Sequence, residues 1–104
     1  MSVIEATSSE QFKELLSKNA NVAVSFDATW CGPCKKIGPV FTKLSDHFSS
    51  VVFVSVDVDG LSEEQGVSAL PFFKFYSGGE EAVEALVGAS ESQLQEKLAA
   101  LNAM

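Results

Sequence analysis

Apolar residues fall along this chain in two rhythms. Val22-Ala23-Val24-Ser25-Phe26, the stretch Val51 to Val58 and the stretch Phe72 to Tyr76 are short, nearly continuous apolar runs. They are rich in β-branched and aromatic residues, the pattern of strands buried on both faces. Between them the spacing lengthens to that of a helix. Phe12, Leu15 and Leu16 form one apolar stripe behind Ser8 and Gln11, a capping-box pair, so a helix runs to about Asn19. Cys34, Ile37, Phe41, Leu44 and Phe48 predict a long helix opening near Cys31. Pro39 lies inside it and removes one backbone donor, which predicts a kink. Leu94, Leu98 and Leu101 follow a second capping pair, Ser90 and Gln93, and carry a last amphipathic helix. Weaker signals fill the gaps. Val3-Ile4-Glu5 reads as an edge strand, Asp59-Gly60 as the end of the second buried strand, and Leu61 to Gln65 as a short helix. Ser77-Gly78-Gly79-Glu80 is a turn before a weaker strand, Ala82 to Val87, which Gly88 breaks. The order is βαβαβ, then ββα. Parallel strands joined by helices need right-handed crossovers and carry helices on both faces of the sheet. Reactive groups of such sheets gather at the carboxyl ends of the strands.

Composition narrows the partners. A length of 104 residues with 46% apolar content suits one domain with a core of its own. All seven basic residues are lysine against 14 acids, a net charge of −7. An acidic chain without arginine is a poor match for nucleic acid, where phosphate contacts need clustered cations. It is equally ill suited to an anionic lipid surface. Met1-Ser2-Val3-Ile4-Glu5 has neither the basic nor the apolar segment of a signal peptide, and no apolar run approaches membrane-spanning length, so a cytoplasmic protein is expected.

Both cysteines lie in one pentapeptide, Trp30-Cys31-Gly32-Pro33-Cys34, directly after the first buried strand. Two sulfurs at that spacing can exist as dithiol or disulfide, and a CxxC near a βαβ pattern reads as a redox motif. A structural role is the weaker reading, because so short a loop constrains the unfolded chain little. Zinc would need two further ligands, and the only histidine, His47, sits three turns along the helix facing away. At the start of a helix, unpaired N–H groups and the positive end of the macrodipole favour an anion, so Cys31 should be the readily ionised thiol. Cys34, one turn further in, should be more buried and less acidic. It is placed to attack a mixed disulfide formed by Cys31. Gly32 allows close approach of another backbone, and Pro33 fits an early helical position.

The run Ala28-Thr29-Trp30-Cys31-Gly32-Pro33-Cys34-Lys35 resembles the active-site signature of the thioredoxin family. The resemblance spans essentially the whole chain: Pro39 falls where the family kinks its second helix, Leu70-Pro71 at its cis-proline and Gly88 at its glycine after the last strand. It implies an α/β fold with a mixed sheet of four or five strands flanked by about four helices, in a single domain over residues 1–104. It also implies reduction of protein disulfides with no bound cofactor, electrons passing from NADPH through a thioredoxin reductase. Targets would be disulfide proteins such as peroxiredoxins or ribonucleotide reductase, met by a monomer. Cys31 would attack and Cys34 resolve. Trp30, Gly32, Pro33, Leu70, Pro71, Gly88 and Ala89 would line the substrate groove, with Trp30, Pro33, Leu70 and Val87 as its apolar rim. The backbone of Leu70 would pair with the substrate as a short strand addition.

The chain departs from the family at the positions that serve proton transfer. Ser25 stands where most members carry a buried aspartate, and Ser55 where many bacterial members carry a lysine on the neighbouring strand. Losing both removes a charge pair without orphaning either partner. Serine is no base near neutral pH, so the proton of Cys34 should go to water held by Ser25 or to Asp27, which shares a strand face with Ser25. Asp59, near the end of the adjacent strand, is expected to approach Asp27 and raise the pKa of one of the pair. Phe72 replaces the threonine common after the cis-proline and reads as additional core. The competing function is a redox sensor or adaptor whose disulfide state gates a partner. The intact Trp-Cys-Gly-Pro-Cys run favours catalysis, and its Gly32-Pro33 pair resembles reducing rather than oxidising members.

Overall fold

The computed structural model describes residues 3–28, 30–57 and 69–104. Its elements are β1 (Ile4–Ala6), α1 (Ser9–Lys18), β2 (Asn21–Asp27), α2 (Gly32–His47), β3 (Val52–Asp57), β4 (Phe72–Ser77), β5 (Glu80–Val87) and α3 (Glu91–Asn102). The five strands form one sheet in the order β1-β3-β2-β4-β5. β1, β3 and β2 run parallel, whereas β2–β4 and β4–β5 are antiparallel. This is the expected mixed sheet with five strands and, among the described residues, three helices. The short helix expected over 61–65 lies outside the described residues, as do Thr29 and Asp59.

The buried runs explain the order of the strands. Every residue of β2 except Asp27 is buried, as a central strand covered on both faces requires. On one face, Val22, Val24 and Phe26 meet Val54 and Val56 of β3, Tyr76 of β4 and Phe12 of α1. On the other, Ala23, Phe53, Phe73 and Phe75 are covered by Ile37, Phe41 and Leu44 of α2 and by Leu94, Leu98 and Leu101 of α3. Helices therefore do cover both faces. Pro39 sits inside α2.

Local chemistry sets the element ends. The Ser8 hydroxyl accepts the Gln11 N–H at 3.1 Å and the Ser90 hydroxyl accepts the Gln93 N–H at 3.3 Å. The return arm of the first capping pair differs from the sequence pattern: Gln11 Oε1 accepts from the Thr7 N–H at 2.9 Å rather than from the cap residue itself. Gly78 and Gly79 carry φ of 64° and 84° between paired Ser77 and Glu80. A two-residue hairpin with both central φ values positive selects glycine. That tight turn starts β5 at Glu80, two residues earlier than its apolar pattern suggests, and leaves Glu80, Glu81 and Glu84 exposed along the sheet's outer strand. No described helix is long and apolar enough to cross a membrane.

Candidate active site

The end of β2 delivers the chain into the redox pentapeptide. A turn closes there, with the Cys31 N–H donating to the Ala28 carbonyl at 3.2 Å. Cys31 then adopts an extended backbone (φ −87°, ψ 107°) and acts as the N-cap of α2, so the helix proper starts at Gly32, with Pro33 in its first turn. The sulfur takes the role a serine oxygen plays at other helix starts: Cys31 Sγ accepts the Cys34 N–H at 3.2 Å. The cysteines are joined as a disulfide with Cα atoms 5.3 Å apart. In the dithiol, the same N–H and the helix dipole would stabilise a thiolate on Cys31. The expected difference in burial is not found. Cys31 and Cys34 are each 5% exposed, because the cap position tucks Cys31 into the same apolar cluster that holds Cys34.

Two further segments meet this corner. The Leu70–Pro71 peptide bond is cis, Pro71 is fully buried, and Leu70 packs against the cluster that contains both cysteines. The Gly88 N–H donates to the Pro71 carbonyl at 2.9 Å, tying the end of β5 to this loop. Gly88 has φ +106°, a conformation open to glycine and strained for other residues. Val87 pairs with Phe72 and is 59% exposed; Trp30 is 68% exposed. Gly32, Pro33 and Ala89 are also exposed. Trp30 and Val87 are thus large apolar side chains open to solvent on the segments that meet at this corner. Phe72 is partly buried and packs against the cluster that holds both cysteines. Its ring lies 5.9 Å from that of Phe26 beneath Lys74 Nζ, consistent with a core role.

Below the first turn of α2 lies a pocket of about 260 Å³, lined by Glu5, Asp27, Ala28, Cys34, Lys35, Ser55 and Asp57. Strand register explains the grouping. Glu5 lies beside Ser55, and Asp27 pairs with Asp57 across β2–β3. The Ser55 hydroxyl donates to Asp27 Oδ2 over a long 3.5 Å. Burial holds the Asp27 carboxyl above its ordinary pKa of 3.8; the charge of Asp57 adds to the rise, the Ser55 hydrogen bond opposes it and Glu5 contributes less. The carboxylate in register with Asp27 is Asp57; the expected Asp59 lies outside the described residues. Ser25 is buried one row deeper, opposite Ser55 and Phe73, and does not line the pocket. Asp57 and Glu5 escaped the sequence reading because their nearness depends on which residues of three strands stand side by side. The alternation Ser55–Asp57 on one strand face was the available signal.

Comparison with known proteins agrees with this geometry. The family model described as Thioredoxin matches residues 3–100. Thioredoxin-1 of Schizosaccharomyces pombe is 43% identical over 101 residues, covering 94% of this chain and 97% of its own. The crystal structure of Malassezia sympodialis thioredoxin superposes with a TM-score of 0.90 at 40% identity, over 97% of this chain and 91% of its own. A structure from work on the thiol resolving mechanism in yeast mitochondrial 1-Cys peroxiredoxin via glutathione/thioredoxin systems superposes with a TM-score of 0.89 at 32% identity, over 96% of each chain. The match extends over almost the full length of both partners and joins sequence to fold, so this chain belongs to the thioredoxin family of thiol–disulfide oxidoreductases.

Proposed function

We propose that this chain reduces disulfides of other proteins, with Cys31 attacking and Cys34 resolving. The observation that carries the assignment is the capping contact: Cys31 Sγ sits at the N-terminus of α2 and accepts the Cys34 N–H. A thiolate is the reactive species, and that position stabilises one on Cys31. The Cys31 thiolate attacks a target disulfide; one target sulfur leaves as thiolate and the other is held in a mixed disulfide. Cys34 then loses its proton and attacks Cys31 Sγ. The Cys31–target bond breaks, the second target sulfur leaves, and the Cys31–Cys34 disulfide remains. Two electrons have passed to the target.

The rim of Trp30, Pro33, Leu70 and Val87 receives the target, with Gly32, Pro71, Gly88 and Ala89 letting its backbone pass close to the sulfurs and the Leu70 backbone pairing with it. A thioredoxin reductase restores the dithiol with electrons from NADPH, and peroxiredoxins or ribonucleotide reductase are fitting targets. The 104 residues act as one domain and a monomer in the cytoplasm. NADPH-coupled reduction of insulin disulfides, with a thioredoxin reductase present, tests the reading. Wild-type protein should turn over, Cys31→Ser should not, and Cys34→Ser should accumulate mixed disulfides through Cys31. Equal trapping by both variants would overturn the two roles.

A further inference from the structure

We infer that Asp27 takes up the proton of Cys34 in the resolving step, through the pocket that the two residues share beneath the first turn of α2. The inference rests on the resolving role proposed for Cys34. In that step the Cys34 Sγ–H bond breaks, its proton passes to the Asp27 carboxylate, Cys34 Sγ bonds to Cys31 Sγ, and the target sulfur leaves with the electron pair of the broken mixed disulfide. The carboxylic acid then returns its proton to solvent through the mouth of the pocket.

Three observations carry this. Asp27 and Cys34 line one pocket of about 260 Å³, roomy enough for water to connect them, since a water needs about 30 Å³. Asp27 is the one residue of β2 that is not buried, so solvent can exchange its proton, while its neighbours keep it from being fully hydrated. The groups around it are arranged to tune a proton rather than to neutralise a charge. On β3, Asp57 stands in register with it and Ser55 donates to it; on β1, Glu5 flanks Ser55; on α2, Cys34 and Lys35 close the pocket. Burial and the two nearby carboxylates make Asp27 a better base than an ordinary aspartate, which is what a thiol donor requires.

The two thiol steps can be watched separately. Mixing the reduced protein with excess 5,5′-dithiobis(2-nitrobenzoate) releases one coloured thiolate when Cys31 attacks and a second when Cys34 resolves. Asp27→Asn should slow the second release about 100-fold near pH 7, the lower end of a general base's contribution. It should also abolish the fall of that rate as acid protonates the carboxylate. Asp27→Glu should restore most of the rate. Asp57→Asn, at an exposed position, should shift the acid limb of the second phase to lower pH, because a like charge has been removed. The first phase reports Cys31 alone. If it is absent in the wild-type protein, the attacking role of Cys31 fails. If it is present and the second phase keeps its rate and pH profile in Asp27→Asn, the role of Asp27 fails. An unmoved acid limb in Asp57→Asn also counts against the pair.

Discussion

Cys31 caps its own helix, and Asp27 is held in a state that its strand disfavours; both effects are readable as single-residue energetics. Asp27 titrates above the ordinary aspartate value in the fold, chiefly through burial and then through Asp57. Such a group stabilises the fold least when ionised. Its penalty is absent below the unfolded-state value, grows as pH rises through the folded-state titration and is constant above it. Asp27→Asn should therefore raise the melting temperature near pH 7. The gain should vanish as pH falls below 3.8, the ordinary value. A difference of equal size at all pH values would assign the effect to packing instead. The redox character of the Trp-Cys-Gly-Pro-Cys run was legible in the sequence, because it depends on neighbours in the chain; the equal burial of Cys31 and Cys34 was not, because it follows from the cap position of Cys31 in the fold. Nor was the partner of Asp27, because only the register of β2 on β3 sets Asp57 beside it.

At the scale of the element, the buried strands β2, β3 and β4 and the described helices followed from periodicity because each turns apolar residues to the core. What periodicity missed were ends set by hydrogen bonds, such as the Thr7–Gln11 contact and the hairpin that begins β5 at Glu80. Two substitutions separate the local from the tertiary contributions to helix stability. Ser90→Ala removes the acceptor for the Gln93 N–H and should cost about 1 kcal/mol. That corresponds to a fall of about 4–8 °C in melting temperature for a domain of this size. Leu98 is wholly buried in the cluster joining α3 to α2 and the sheet, and Leu98→Ala should cost about 2–5 kcal/mol. Chemical denaturation of both variants checks the order; a cap loss equal to the core loss would mean that α3 is held by its end and not by its face.

For the whole molecule, a net charge of −7 without arginine leaves little for long-range steering toward acidic partners, and the proposed contact surface is apolar. KM for insulin reduction should change little as salt rises from about 0.05 M to about 0.5 M, a range over which exposed charges are progressively screened. A steep rise would place the target on a charged surface instead. The same acidity has a second effect at the margin of the sheet. An outer strand offers a row of unpaired backbone groups on which another chain can grow, and charged side chains are a common guard against it. β5 meets solvent with Glu80, Glu81 and Glu84 exposed, while the opposite margin, β1, is only three residues long. The consequence is colloidal: these carboxylates leave the proposed rim as the open place for an extended chain to add. Replacing all three by threonine, a good strand former, should leave thiol chemistry intact yet turn β5 into a template for aggregation, seen as turbidity on warming well before the wild-type protein clouds.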